Sequence, residues 1–139
     1  MEESRVFRWP IRVYYEDTDA AGIVYHASYL KYFERARTEW LRRLGFAQER
    51  LRGELGLGFA LASAQLRWRR PARLDDMLEV SVRLVGYGKV RIDFEQRIVR
   101  IEDNVELTSA SVRVGCVDTT SMQPRRMPTA MMTEIANVS

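Results

Sequence analysis

Three acidic side chains and the one histidine of the chain fall within a single short stretch. Y-Y-E-D-T-D-A-A-G-I-V-Y-H (14–26) carries Glu16, Asp17, Asp19 and His26. A carboxylate held beside oriented N–H donors can attack a carbonyl, or deprotonate water next to it. That pairing of base and oxyanion donors is the minimal kit for hydrolysing an activated acyl group. The donors are at hand if a helix starts just after the loop. Its first amides have no intrahelical acceptor and lie at the positive end of the dipole. Residues 23–28, I-V-Y-H-A-S, occupy that place, and each such donor is worth roughly 3–4 kcal/mol in measured cases. The same spacing has a plainer reading. Aspartate before a helix caps it or closes an Asx-turn, and a residue such as His26 serves through its backbone amide. Spacing leaves both readings of Asp19 open.

Other chemistries fit worse. A structural zinc site needs about four Cys or His ligands, and the chain has one of each. There is no G-x-S-x-G elbow, and G-Y-G-K (86–89) lacks the spacing and the Ser/Thr of a P-loop. Cys116 falls on an apolar strand face, which predicts a buried, inert thiol.

The elements that must position the acidic loop are legible in the hydrophobic periods. Phe7, Trp9, Ile11, Val13 and Tyr15 alternate, predicting a half-buried strand over 7–15 that Pro10 demotes to a sheet edge or bulge. From about Ala27 the period becomes helical, with Leu30, Phe33, Ala36 or Arg37, Trp40, Leu41 and Leu44 on one face. Gly45 stands at the C-terminal cap and Glu39–Arg43 at i,i+4 on the wet side. Roughly 18 residues give about 27 Å of helix, enough to cross a small sheet. Residues 46–57 read as a short irregular or helical connection. Strands follow at 59–69, at 78–84, after the G-Y-G hairpin (86–88) and after E-D-N (102–104), and the tail from Met122 is irregular or a short helix. The order is strand, long helix, then four strands joined largely by hairpins. That is an α+β domain in which a five-stranded antiparallel sheet wraps one long helix. One helix cannot cover such a sheet, so dimerisation through edge and face is expected.

At 139 residues the chain reads as a single domain, 1–139, able to bury its own core. It has no apolar run long enough to span a membrane. The start lacks the apolar region of a secretory signal, and a lone cysteine fits a reducing compartment, so the expected location is cytoplasmic. Of 22 cationic side chains 20 are Arg, yet the net charge is only +3, modest for a nucleic-acid binder. Arginine also suits phosphates, to which its planar fork donates two hydrogen bonds.

The stretch R-V-Y-Y-E-D-T-D-A-A-G-I-V-Y-H-A-S-Y-L-K-Y-F-E-R-A-R-T-E-W-L (12–41) resembles the signature of hotdog-fold acyl-CoA thioesterases, in particular the YbgC type associated with the Tol-Pal system and akin to 4-hydroxybenzoyl-CoA thioesterases. The resemblance is close over residues 7–45 and continues through R-W-R-R-P-A-R-x-x-D. It implies a helix wrapped by an antiparallel sheet, assembly as a homodimer or homotetramer, and hydrolysis of acyl-CoA without a metal or bound cofactor. It implies no nucleic acid as partner. By position, the catalytic carboxylate is Asp19, acting as base or nucleophile, while Asp17 shapes the loop. The backbone amide of His26 polarises the thioester carbonyl, and Gly22 and Tyr25 shape the pocket. Lys89 and Arg91, then Arg69 with Arg67 and Arg70, are the candidates for the CoA phosphates, with alternation placing Lys89 and Arg91 on one polar face and the dimeric fold able to bring these groups to the neighbouring subunit's site. Phe33, Trp40, Phe59 and the opposing subunit are expected to bound the acyl group and so set its length. Two other readings stay open: delivery of the substrate by acyl carrier protein, and a non-catalytic acyl- or protein-binding module.

Overall fold

The computed structural model describes residues 5–139; the first four residues, which open the start read above as lacking a secretory signal, lie outside the described residues. Strand β1 (Phe7–Arg12) leads through the acidic loop into helix α1 (Ser28–Arg43). The short helix α2 (Gln48–Arg50) and a π-helical turn (Leu51–Leu55) follow. Next come β2 (Leu57–Trp68), β3 (Met77–Tyr87), β4 (Arg91–Arg100) and β5 (Val105–Asp118), and the chain ends in α3 (Thr129–Val138). All five strands form one antiparallel sheet in the order β1-β3-β4-β5-β2. This is the expected α+β architecture, with one adjustment. β3–β4 and β4–β5 are hairpins, but the chain crosses from β2 at one edge to β3 near the other.

The packing follows from the patterns. Leu78, Val80 and Val82 of β3 and Ile92, Phe94 and Ile98 of β4 point to the same side of the sheet and are buried. Against them α1 lays Tyr29, Tyr32, Phe33, Ala36, Trp40 and Leu41, with the Trp40 ring edge-on to Phe94 at 5.1 Å. A large apolar side chain contributes about 1.5–3 kcal/mol when fully buried, so this face rather than intrinsic propensity holds α1 in place. The helix ends as its sequence predicts. Gly45 adopts φ +99°, its amide donates to the Arg42 carbonyl, and the Phe46 amide donates to Leu41, which is a Schellman motif.

Three local expectations are corrected. β1 stops at Arg12, and Tyr15 is 81 % exposed in a 3₁₀ turn, because the chain must turn away before the helix. Pro10 does sit on an edge strand, opposite Glu79. Glu39 pairs with Arg42 at 2.5 Å rather than with Arg43, whose guanidinium lies over the Phe7 ring at 5.9 Å. Lys89 belongs to the β3–β4 turn and not to a strand, so it shares no strand face with Arg91.

Candidate active site

The acidic loop is built in two halves. Residues 15–17 form the 3₁₀ turn. The Asp17 side chain folds inward, is 1 % exposed, and accepts the Tyr14 amide on Oδ2 at 3.0 Å. Lys31 Nζ lies 3.7 Å from its Oδ1, and the Asp17 carbonyl accepts the Tyr25 amide at 2.9 Å. The Tyr32 hydroxyl next to it is pushed well above the ordinary tyrosine value, first by burial and then by the neighbouring Asp17. Asp17 thus ties the loop to the helix, the shaping role expected of it.

The second half is a tight turn. The Asp19 amide donates to Ile23, the Gly22 amide donates to the Asp19 carbonyl, and the Ala21 amide donates to Asp19 Oδ1 at 2.8 Å. Gly22 holds φ +80°, a conformation that side chains disfavour. The Asx-turn reading of Asp19 is therefore what the loop displays. It occupies only one oxygen: among the described residues Oδ2 has no protein donor, and the residue is exposed. Asp19 also lies close enough to Tyr29, in the first turn of α1, to help raise the tyrosine's pKa, after burial and Asp76. Loop and helix start are thus brought together.

That helix start is open. α1 has no side-chain cap. The Ser28 amide is taken by the Tyr25 carbonyl, while the amides of His26 and Ala27 find no acceptor among the described residues. The His26 ring packs on Tyr25 at 4.3 Å and edge-on to Trp68, at the end of β2, at 6.4 Å. Tyr25 and Trp68 are each about half exposed, 47 % and 50 %. Asp19, Gly22, Tyr25 and His26 are therefore gathered at one end of the sheet, as the sequence predicts.

Two contributors escaped sequence reasoning. Trp68 walls the site through strand pairing, and Tyr29 fixes the 70–73 segment beside the loop by accepting the Ala72 amide at 3.1 Å. Val24 donates to the Ala72 carbonyl and Ile23 bridges Arg73, which fastens the same segment to the turn. Both links join residues more than forty positions apart, and no local spacing signals them.

The cationic candidates divide. Arg69 lies at the site end but pairs with Glu106 at 2.9 Å, and Arg70 is exposed beside it. Lys89 and Arg91 lie at the opposite end: β3 leaves the acidic loop at Met77, where Val13 donates to Asp76, and reaches Tyr87 ten residues later, roughly 33 Å away at strand rise. Arg91 is also bound to Asp93, which Arg113 holds from the other side at 2.7 Å. Neither cation reaches Asp19 of its own chain. Of the three residues expected to bound the acyl group, Phe33 and Trp40 are core, and only Phe59 lines a cavity, beside α1. Cys116 is buried and its thiol is pushed up by that burial, so it is not a nucleophile candidate.

Residues 13–135 match the thioesterase-like superfamily. The chain belongs to that family. It is 47 % identical over 129 residues to the acyl-CoA thioester hydrolase YbgC of Escherichia coli O6:H1, covering 93 % of this chain and 95 % of that one. To the acyl-CoA thioesterase YbgC of Haemophilus influenzae it is 46 % identical, covering 88 % of each. The structure superposes on a probable thioesterase from Bartonella henselae with a TM-score of 0.83 and 34 % identity, over 88 % of this chain and 99 % of that one. A DHNA-CoA thioesterase from Staphylococcus aureus gives a TM-score of 0.90 at 20 % identity, over 96 % and 90 %, a likeness of fold. The hotdog architecture and the thioesterase class implied by the resemblance are both met.

Proposed function

We propose that the protein hydrolyses acyl-CoA thioesters to the free acid and CoA, with Asp19 as the reacting carboxylate and the His26 amide as oxyanion donor. The observation that carries this reading is an exposed Asp19 oxygen, without a donor among the described residues, beside an uncapped helix start, in a chain so similar to acyl-CoA thioester hydrolases. With the carbonyl oxygen against the helix amides, Asp19 either attacks the carbonyl carbon and expels CoA thiolate, leaving a mixed anhydride for water to open, or takes the proton of an attacking water. Both routes yield acid and CoA thiol. Tyr25, Gly22 and Trp68 bound the acyl end of this site.

The working unit is a homodimer or a homotetramer assembled from it. β2 is an edge strand of 12 residues, and its mid-portion, including Leu61, is exposed. Such an edge seeks a partner. Antiparallel pairing of two β2 strands about a two-fold axis sends the Trp68 end of one copy to the Leu57 end of the other. At that end lies the β3–β4 turn, since Arg91 is opposite Gly115 and Ala60 is opposite Gly115 from the other side. Lys89 and Arg91 then serve the neighbouring site, which explains how cations so far from their own Asp19 meet CoA phosphates. Lys89 is the freer of the two. A lone buried cysteine supports a cytoplasmic location, and the resemblance to the YbgC type supports an association with the Tol-Pal system.

The test is thiol release from a panel of acyl-CoAs, short aliphatic to long-chain and aromatic, set beside the same acyl groups on acyl carrier protein. Turnover of a subset of the CoA thioesters is expected. A strong preference for the carrier thioesters would reassign delivery to the carrier, and hydrolysis of neither would leave a non-catalytic binding module.

A further inference from the structure

The His26 amide, the proposed oxyanion donor, is oriented by a clamp and not by a helix cap. α1 has no side-chain cap. Two rungs close the base of the acidic loop just before it. Thr18 bridges Val24, and the Asp17 carbonyl accepts the Tyr25 amide at 2.9 Å. His26 is the next residue, so the place of Asp17 decides where the His26 amide points.

Asp17 is itself held from α1. Its Oδ2 accepts the Tyr14 amide at 3.0 Å, which commits one oxygen to the turn. Its Oδ1 is buried and makes no hydrogen bond among the described residues, and the same holds for the Tyr32 hydroxyl beside it. What faces Oδ1 is the Lys31 ammonium at 3.7 Å, from a side chain that is half-exposed while that of Asp17 is 2 % exposed. Lys31 is the fourth residue of α1. Helical side chains lean back toward the N-terminus, which carries it over the loop. Arg35, one turn further on, acts on Tyr32 but forms no ion pair with Asp17 among the described residues. The pair follows β1, at the sheet edge opposite β2, and so lies away from the edge by which two copies join.

Such a pair is a poor source of stability, since a half-exposed lysine is well solvated. Its effect is on position. A carboxylate buried without a counter-ion is costly, and the loop relieves that cost by turning Asp17 toward water. The Asp17 carbonyl and the Tyr25 and His26 amides then move with it. A donor acts only within hydrogen-bond reach of the oxyanion, and a misplacement of about 1 Å can lower a rate about 100-fold.

We infer that Lys31 is a positioning residue for the hydrolysis proposed above: by holding Asp17 inward it sets where the His26 amide meets the developing oxyanion. The inference rests on that reading and adds to it a residue that does not touch the substrate.

The test is steady-state kinetics on an acyl-CoA that wild type hydrolyses, with a thermal melt on each sample. In Lys31→Met kcat is expected to fall about tenfold or more, short of the roughly 100-fold or greater loss of a donor removed outright, with KM within about twofold of wild type. Its Tm stays within about 5 °C. Lys31→Arg, which restores a cation, recovers most of kcat. Arg35→Met, which removes a neighbouring cation unpaired with Asp17, keeps it. In Asp17→Asn, where no charge needs holding, adding Lys31→Met lowers kcat no further, the non-additivity of residues that act as a unit. A folded Lys31→Met with wild-type kcat would overturn the inference. So would a loss carried by KM, which makes Lys31 a substrate contact, an equal loss in Arg35→Met, or additive losses in the double variant. Should Lys31→Met not fold, Lys31→Gln set against Lys31→Arg decides, and equal kcat in those two would overturn the inference as well. Each of these outcomes leaves the thioesterase reading standing. Hydrolysis of no acyl-CoA by wild type would bring down that reading and the inference with it.

Discussion

Asp17 and Asp19 stand two residues apart in one loop and have opposite surroundings. Asp17 is buried, accepts a backbone amide, and has an ammonium group nearby. Asp19 is exposed and, among the described residues, keeps one oxygen free of protein donors while the other closes a turn. A buried carboxylate held by a backbone amide on one oxygen and facing an ammonium with the other is a strut. One left with an open oxygen, next to amides that lack acceptors, is available to a substrate. The same contrast recurs across the sheet. The site end leaves the helix start and Trp68 open, whereas at the far end Asp93 binds Arg91 and Arg113 together.

This division of roles can be broken by substitution. Asp17→Ala should cost the most stability, about 2–3 kcal/mol for lost hydrogen bonding to a buried charge, on the order of 5–10 °C in Tm; a thermal melt matching wild type would show that Asp17 is no strut. Tyr29→Phe leaves the Ala72 amide without its acceptor, at a cost of about 1–2 kcal/mol. It should also loosen the 70–73 segment, seen as faster amide exchange at Val24 and Ala72. Arg113→Ala should act least. The hydrogen bond from Arg113 holds the Asp93 carboxyl below its usual range, and Arg91 adds to this against partial burial. A depressed folded value gives stability that is present above the unfolded pKa of about 3.9 and lost as pH falls through the lower folded value. Removing Arg113 should therefore trim stability at neutral pH by a few tenths of a kcal/mol, since the pair is largely solvated, and flatten the acid limb of a pH–stability curve. Loss of activity equal to that of an Asp19 variant would contradict the reading of Arg113 as a brace for Asp93.

Much of this was legible in the sequence because the signals are local. The helix of α1, its Gly45 cap and the alternation of β3, β4 and β5 are periods and turn chemistry that the chain carries within a few residues. The loop was legible too, since acid, glycine and helix start follow one another directly. What escaped was set by strand pairing. The partner of Glu39 depended on where Phe7 drew Arg43, and the wall of the site came from Trp68, forty-two positions beyond His26 in the sequence. The distance of Lys89 and Arg91 from Asp19 followed from β3 running the full length of the sheet. Gln96 sits at an inward position of β4 where alternation alone predicts an apolar residue, and only the fold shows that it holds Arg37.

The central claim is that Asp19, and not its neighbour, does the chemistry at the helix start. The most direct measurement is steady-state acyl-CoA hydrolysis by Asp19→Asn, with a thermal melt on the same sample. The account predicts a loss of at least about 100-fold in kcat, the low end of general-base effects, with Tm within a few degrees of wild type because the amide oxygen can still close the turn. Wild-type turnover from a folded Asp19→Asn would contradict it.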